Sequence, residues 1–303
     1  MHDLIIIGGG PAGAAAAIYA ARREMKTMII SKDVGGQLVW ASEIENYPGF
    51  KSINAFELIG KFQEQISALG VKITQEEVKS IEKTNQGFKL ICPQKEYEAK
   101  TVILAMGLSP RKLDIPGEKE FSGKGVSYCA NCDGPFYKNK TVAVVGGGNS
   151  ALDAAEIMSK IANKVYLIHR RDEFKAFEAL IKEVEARDNI EMILDSSPIE
   201  FLGDEALKQI KVKNLKTEEE KFLEVDGAFV EIGRLAHTSL VKDIVDRNRS
   251  EEILVNELCE TKTPGLFAAG DVTQVAFKQI SIAAGQGTIA ALAAYQYLQT
   301  KKD

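Results

Sequence analysis

Twice in this 303-residue chain a short apolar run breaks into a cluster of glycines and resumes as an alanine-rich stretch. The first copy, DLIIIGGGPAGAAAAIYAA, begins at Asp3, and the second, TVAVVGGGNSALDAAEIM, begins at Thr141. Each apolar run reads as a buried strand, and each alanine-rich stretch has the period of a helix. A second apolar run follows each copy, TMII at 27–30 and KVYLIH at 164–169. The pattern predicts two βαβ units far apart in sequence, and so an α/β chain with two nucleotide-binding folds.

The glycine spacing gives both turns a chemistry. Gly8, Gly10 and Gly13 make G-x-G-x-x-G between strand and helix. The first glycine allows the tight turn, the second lets a pyrophosphate approach the backbone, and the third lets helix and strand pack closely. The helix start then offers unpaired N–H groups and a positive dipole to phosphate. Gly146, Gly148 and Ala151 repeat the pattern as G-x-G-x-x-A. An NAD site places an acid after the next strand to bind the ribose 2′-hydroxyl. Here the sequence is HRRDEFK, with His169, Arg170, Arg171 and, one turn on, Lys175. Cations there suit a 2′-phosphate, and so NADP; the competing reading is a solvated basic helix start. After the first unit, Ser31 and Lys32 also stand where an acid is usual.

The intervening segments are less specific. Residues 54–69 read as an amphipathic helix, and 71–104 as strands ending in TVILAMG. KLDIPGE (112–118) has the Pro and Gly of a linker, FKAFEALIKEVEA (174–186) is helical in period, and 190–232 reads as strands with a charged hairpin at KTEEEKF. TPGLFAAGDV reads as turn, strand, turn, and QISIAAGQGTIAALAAYQYLQ as a closing helix. A net charge of −5 without a long run of one sign gives nucleic-acid binding no electrostatic support. The apolar N-terminus lacks the basic region of a signal peptide, and no apolar run nears the roughly 20 residues that span a bilayer. With Cys92 and Cys259 standing alone, the expected compartment is the cytoplasm.

The remaining two of four cysteines form C-x-x-C in VSYCANCDGPF, at 126–136. Zinc needs four ligands, and neither the two lone cysteines nor the three histidines has matching spacing, so no metal site is expected. A structural disulfide closing so small a loop would stabilise little. A reactive dithiol remains, in which the second thiol resolves a mixed disulfide made by the first. Asp133 follows at once. It reads equally as an acid/base for the thiolates or as a turn residue in CDGP.

GGGPAG, GGQL, IENYPG, CANCDG, GGGNSA, HRRDEFK and TPGLFAAGDV occur in an order that resembles the low-molecular-weight thioredoxin reductases, class II flavoproteins of the pyridine nucleotide-disulfide oxidoreductases, over essentially the whole chain. The combination is specific, though most of its parts are not. The resemblance implies two Rossmann-like, three-layer ββα domains, the second inserted into the first. FAD would lie on 1–114 and 242–303, and NADPH on 115–241 with the C-x-x-C. It implies that Gly8, Gly10, Pro11, Ala12, Gly13, Gly36, Gln37, Asn46, Val78, Ala105, Gly107, Gly270, Asp271, Lys278, Gln279 and Ile280 contact FAD. It assigns Gly146, Gly148, Asn149, Ser150, Ala151, His169, Arg170, Arg171, Lys175, Ile232 and Gly233 to the nicotinamide cofactor. Cys132 would face the flavin, Cys129 would attack the thioredoxin disulfide, and Asp133 would protonate the leaving thiolate. Lys278 and Lys175 stand where the family commonly has arginine, and the second leaves NADH open as donor. The resemblance also implies a homodimer and rotation of the two domains against each other. Alternatives are an NADH-preferring or ferredoxin-linked flavoprotein serving a thioredoxin-, glutaredoxin- or peroxiredoxin-type partner, a ferredoxin–NADP reductase of similar architecture, which has no use for C-x-x-C, and a non-catalytic nucleotide sensor on the same fold.

Overall fold

The computed structural model describes residues 1–41 and 43–300. Among them are six α-helices: α1 (Pro11–Ala21), α2 (Ala55–Ala68), α3 (Ala130–Asp133), α4 (Asn149–Ser159), α5 (Glu178–Glu185) and α6 (Ile280–Thr300). The chain divides into two compact units. The first comprises Met1–Val39, Asn46–Ser109 and the chain from Leu235 onward; the second is chiefly Pro110–Arg234.

The first unit is built on a sheet whose strands at Lys72–Gln75, Thr27–Val34, His2–Gly9 and Glu96–Leu104 run parallel in that order. Leu4, Ile5 and Ile6 are fully buried, as a strand covered on both faces requires. Strand Leu266–Ala268 joins the C-terminal half of Glu96–Leu104, and an antiparallel hairpin, Ser80–Thr84 with Gly87–Ile91, takes its first half. Alanines of α1 and α6, among them Ala16, Ala17, Ala290 and Ala294, cover one face with Ile29 and Phe267. Phe88, Leu90, Val241 and Val245 lie in the core on the other face. Burying each large side chain contributes about 1.5–3 kcal/mol. The N-terminus of α2 is fixed by Asn54, whose side chain accepts the Phe56 N–H at 3.0 Å.

The second unit has a parallel five-stranded sheet in the order Val126–Ser127, Gly227–Val230, Thr141–Val145, Lys164–Ile168, Ile190–Ile193. α4 and α5 pack on one face through Leu152, Met158 and Val184. An antiparallel meander, Ser196–Gly203, Leu207–Asn214 and Glu220–Glu224, covers the other through Phe201, Ile210 and Leu223. The three layers are those of a ββα fold.

The structure departs from the sequence reading in two elements. The 174–186 stretch becomes helical only at Glu178. Its first residues are held by the neighbouring glycine turn instead: the Lys175 N–H donates to the Gly147 carbonyl at 2.7 Å, and the Phe177 N–H to Asn149 Oδ1 at 2.9 Å. Residues 112–118 are not a free linker either. Glu118, 2% exposed, folds back to accept the N–H groups of Leu113 (3.0 Å) and Asp114 (2.7 Å), so the segment is packed into the second unit. The chain crosses between units after Ser109, ahead of KLDIPGE, and after Arg234. The crossing strands, Leu108–Pro110 and Arg234–Ala236, pair as a two-stranded ribbon.

Candidate active site

In the first unit the glycines form a bare cradle at the C-terminal end of the sheet. Gly8 has φ +114°, and a Cβ there would run into the carbonyl of Ala105; one on Gly13 would strike the carbonyl of Gly8. Gly10 caps α1 with Pro11 at the first helical position and no side-chain acceptor on the first-turn N–H groups. Gly36, at φ +57°, lies beside Gly10, and a Cβ on Gly107 would come within 3.9 Å of Gln37. Gln37 donates to Asp271 at 2.7 Å, and Asn46 to Gln279 at 3.4 Å. Gly270 sits against Ala12, and its N–H is bound by Gln286 at 2.8 Å. The predicted residues from the first strand, the Gly36 turn, the Ala105–Gly107 turn and the Gly270 turn therefore converge. Val78 is buried in the core of the same unit.

Two residues of this unit have specific occupations. Ser31, 6% exposed, stands where an acid was expected, and its hydroxyl accepts the Gly9 N–H at 2.8 Å. It braces the glycine turn rather than a ribose. The Lys278 ammonium donates to the carbonyls of Asp271 (3.1 Å) and Thr273 (2.6 Å) and pairs with Glu252 at 2.9 Å. One point charge serves three oxygens, and so fixes the loop between Asp271 and Ile280, the first residue of α6.

In the second unit Gly146 has φ +148°, and a Cβ there would run into the Ala151 methyl and the carbonyl of Glu231. Gly148 caps α4 with no side-chain acceptor, so the N–H groups around Asn149 and Ser150 open the helix bare. A Cβ on Gly147 would fall within the His169 ring. His169 is buried, stacks on Phe174 at 5.4 Å and contacts the Glu173 carbonyl at 3.1 Å, and burial holds its pKa below the usual value. It shapes the turn from beneath as a neutral ring. Arg170, Arg171 and Lys175 are exposed. Nearby Asp172 is taken up by Lys216 at 2.9 Å, which leaves those three cations without a carboxylate partner among the described residues. Ile232 and Gly233 follow the Gly227–Val230 strand, and the Gly233 carbonyl accepts the Arg111 N–H at 2.9 Å.

Cys129 and Cys132 are joined as a disulfide across α3, with Cα atoms 5.3 Å apart. Both are half-buried, whereas Cys92 and Cys259 are buried, with thiols pushed up to about 11 by burial. Ser127 organises the turn: it accepts the Cys129 N–H at 3.1 Å and donates to Asp133 Oδ2 at 2.6 Å. Asp133 Oδ1 is buried and has no hydrogen-bond partner. Burial raises the Asp133 carboxyl above its usual range, partly offset by Ser127. Asp133, directly after Cys132, thus has one oxygen on Ser127 and the other buried without a partner. Ser127, Glu118, Glu231 and Arg234 escaped the sequence reading, since nothing in their spacing separates them from surface polar residues. Among the described residues no group of His, Cys, Asp and Glu could hold a metal, and no helix is long and apolar enough to cross a membrane.

Two dinucleotide cradles and a dithiol on one chain narrow the family, and residues 2–287 match the pyridine nucleotide-disulphide oxidoreductases. The chain belongs to that family. The chain spans 58% and 66% of the length of two of the curated relatives it matches. It is 38% identical to a thioredoxin reductase of Treponema pallidum over 99% of this chain and 98% of that protein. The solved thioredoxin reductase of Streptococcus pyogenes superposes with a TM-score of 0.95 at 37% identity, covering 99% of each chain. An NADH dehydrogenase of Bacillus subtilis is 38% identical over 98% of this chain, which spans 58% of that protein's length.

Proposed function

We propose that this oxidoreductase is an NADPH-dependent thioredoxin-disulfide reductase. The observation that carries the reading is the Cys129–Cys132 disulfide beside a buried carboxyl whose Oδ1 has no partner. A bare glycine cradle with open helix N–H groups fits a dinucleotide pyrophosphate in each unit. The first unit would hold FAD on Gly8, Gly10, Pro11, Ala12 and Gly13, with Gln37 and Asp271 beyond the turn. The second would hold the nicotinamide dinucleotide on Gly146, Gly148 and Ala151. Bound flavin supplies the hydride-accepting and two-electron-donating chemistry that amino acids lack. The protein's residues do the rest. Arg170, Arg171 and Lys175 present positive charge to a 2′-phosphate. Cys129 attacks a partner disulfide, Cys132 resolves the mixed disulfide, and Asp133 gives its proton to the leaving thiolate. Thioredoxin is the proposed partner, a homodimer the proposed assembly and the cytoplasm the proposed compartment.

The test is spectroscopic. The purified protein should be yellow, bleach with NADPH and recolour with oxidised thioredoxin. A colourless preparation, or one that NADPH bleaches but oxidised thioredoxin leaves bleached, would refute the proposal. The likeness to an NADH dehydrogenase favours a second reading, with NADH as donor. Stopped-flow flavin reduction with each nucleotide separates the two, since replacing Arg170 and Arg171 by alanine slows only the NADPH reaction if a 2′-phosphate is bound there.

A further inference from the structure

Tyr128, the residue before Cys129, is fastened at both ends. Its side chain is buried and shares a core with Phe121, Val145 and Phe201. Its hydroxyl donates to Glu118 Oε1 at 3.1 Å. The same oxygen accepts the Leu113 N–H at 3.0 Å, and Oε2 accepts the Asp114 N–H at 2.7 Å, so the buried carboxylate has three donors. The Tyr128 carbonyl accepts from the Arg234 guanidinium at 3.3 Å. Next to Arg234, the Gly233 carbonyl accepts the Arg111 N–H at 2.9 Å. The residue that leads into the dithiol is thus tied to both stretches, near 111–114 and at 234, by which the chain enters and leaves the second unit. With Ser127 Oγ on the Cys129 N–H at 3.1 Å, the backbone from 127 to 129 is fixed ahead of the disulfide.

Packing alone does not ask for the hydroxyl, because a phenylalanine ring fills the same space, and burying a phenol beside a carboxylate costs the hydration of both. What the two bonds do is limit where the Cys129 backbone can go. When a disulfide opens, its thiols separate as far as their turn allows. A turn held in one conformation keeps them at a high effective concentration for reclosing. We infer that Tyr128 is a positioning residue of the redox centre: held by Glu118 at its hydroxyl and by Arg234 at its carbonyl, it keeps Cys129 close to Cys132 and weights the couple toward the disulfide. Loosening either hold lowers that effective concentration and favours the open dithiol.

The inference rests on Cys129–Cys132 being the reducible couple, and one experiment separates the two claims. The full-length protein is equilibrated at pH 8 in graded ratios of reduced to oxidised dithiothreitol, alkylated and weighed by mass spectrometry. Dithiothreitol gives two electrons and two protons to the disulfide, which opens to two thiols as the reagent closes to its cyclic disulfide. Tyr128→Phe keeps the ring and removes only the bond to Glu118. It should shift the equilibrium toward the dithiol by about three- to tenfold, the scale of one lost hydrogen bond. Tyr97→Phe is the control: it removes a like bond, from Tyr97 to Glu76 at 2.7 Å, in the first unit, and should stay within about 1.5-fold of wild type. If Tyr128→Phe folds poorly, Arg234→Lys decides by the same shift, since it keeps the charge and withdraws the guanidinium from the Tyr128 carbonyl. An equilibrium within about 1.5-fold of wild type in the deciding variant, a shift toward the disulfide, or an equal shift in Tyr97→Phe overturns the role of Tyr128. A wild-type disulfide that dithiothreitol does not open overturns the dithiol reading itself.

Discussion

At the scale of single residues, the reactive turn is defined by which atoms are left unsatisfied. Asp133 Oδ1 has no partner, and its carboxyl is held above the usual range by burial. Asp133→Asn should therefore slow steady-state thioredoxin reduction by roughly 10²–10⁴-fold, the usual scale for losing a positioned acid, while NADPH still bleaches the flavin at the wild-type rate. Cys132→Ser should abolish disulfide turnover and spare that bleaching; a variant that keeps both activities would show the cysteines are not the relay. Glu231 makes stability depend on pH. Its carboxyl lies at about 7 in the fold against an ordinary 4.5, so the folded chain binds that proton more tightly than the unfolded one. Its contribution to stability is full below pH 4.5 and is lost as pH rises to 7, a change on the order of 1–3 kcal/mol. The melting temperature of Glu231→Gln should accordingly fall less than that of wild type across this interval. The cysteines and Asp133 were legible in the sequence because they stand in one short motif. Ser31 was not, because it acts on the Gly9 backbone N–H, distant in sequence, and such pairings have no periodicity.

Among elements, both glycine turns were legible in full, since a strand that ends in glycines before a helix allows few other conformations. The reading failed at the start of α5, where Lys175 and Phe177 are captured by the Gly147–Asn149 turn, a tertiary contact stronger than local helical period. It also missed how closely α1 and α6 pack. α1 is almost uniformly small and apolar, and the buried residues of α6 are alanines and Gly287, so neither marks its packing face by a contrast of large apolar and polar residues. Their approach is set by Gly287, where a Cβ would collide with the Ala12 carbonyl. Backbone on both sides cannot give way as a side chain would. Gly287→Ala should cost about 1–3 kcal/mol in thermal unfolding and should weaken flavin retention on gel filtration, because Ala12 lies in the first turn of α1. Unchanged flavin content with an unchanged melt would show that the two helices can part without cost.

For the whole molecule, the twofold echo made two nucleotide-binding units legible, and the likeness of the chain to its family placed one inside the other. The first crossing precedes KLDIPGE, which has a linker's composition but is pinned into the second unit by Glu118. Since the two crossing strands lie hydrogen-bonded side by side, residues 110–234 begin and end at nearly one place. That segment expressed alone should melt cooperatively, as inserted domains with adjacent ends do; a non-cooperative profile would show that its core depends on the first unit. The same topology sets a timetable during synthesis. All of the first unit's sheet except strand Leu266–Ala268, together with α1, is made within the first 109 residues, yet much of the alanine face that covers it belongs to α6, from residue 280 on. At about 5–20 residues per second, that apolar face waits roughly ten to forty seconds on the ribosome while the whole inserted unit is made. Over that interval the nascent chain exposes apolar surface of the kind that aggregates, so slower translation through the insert lengthens its exposure.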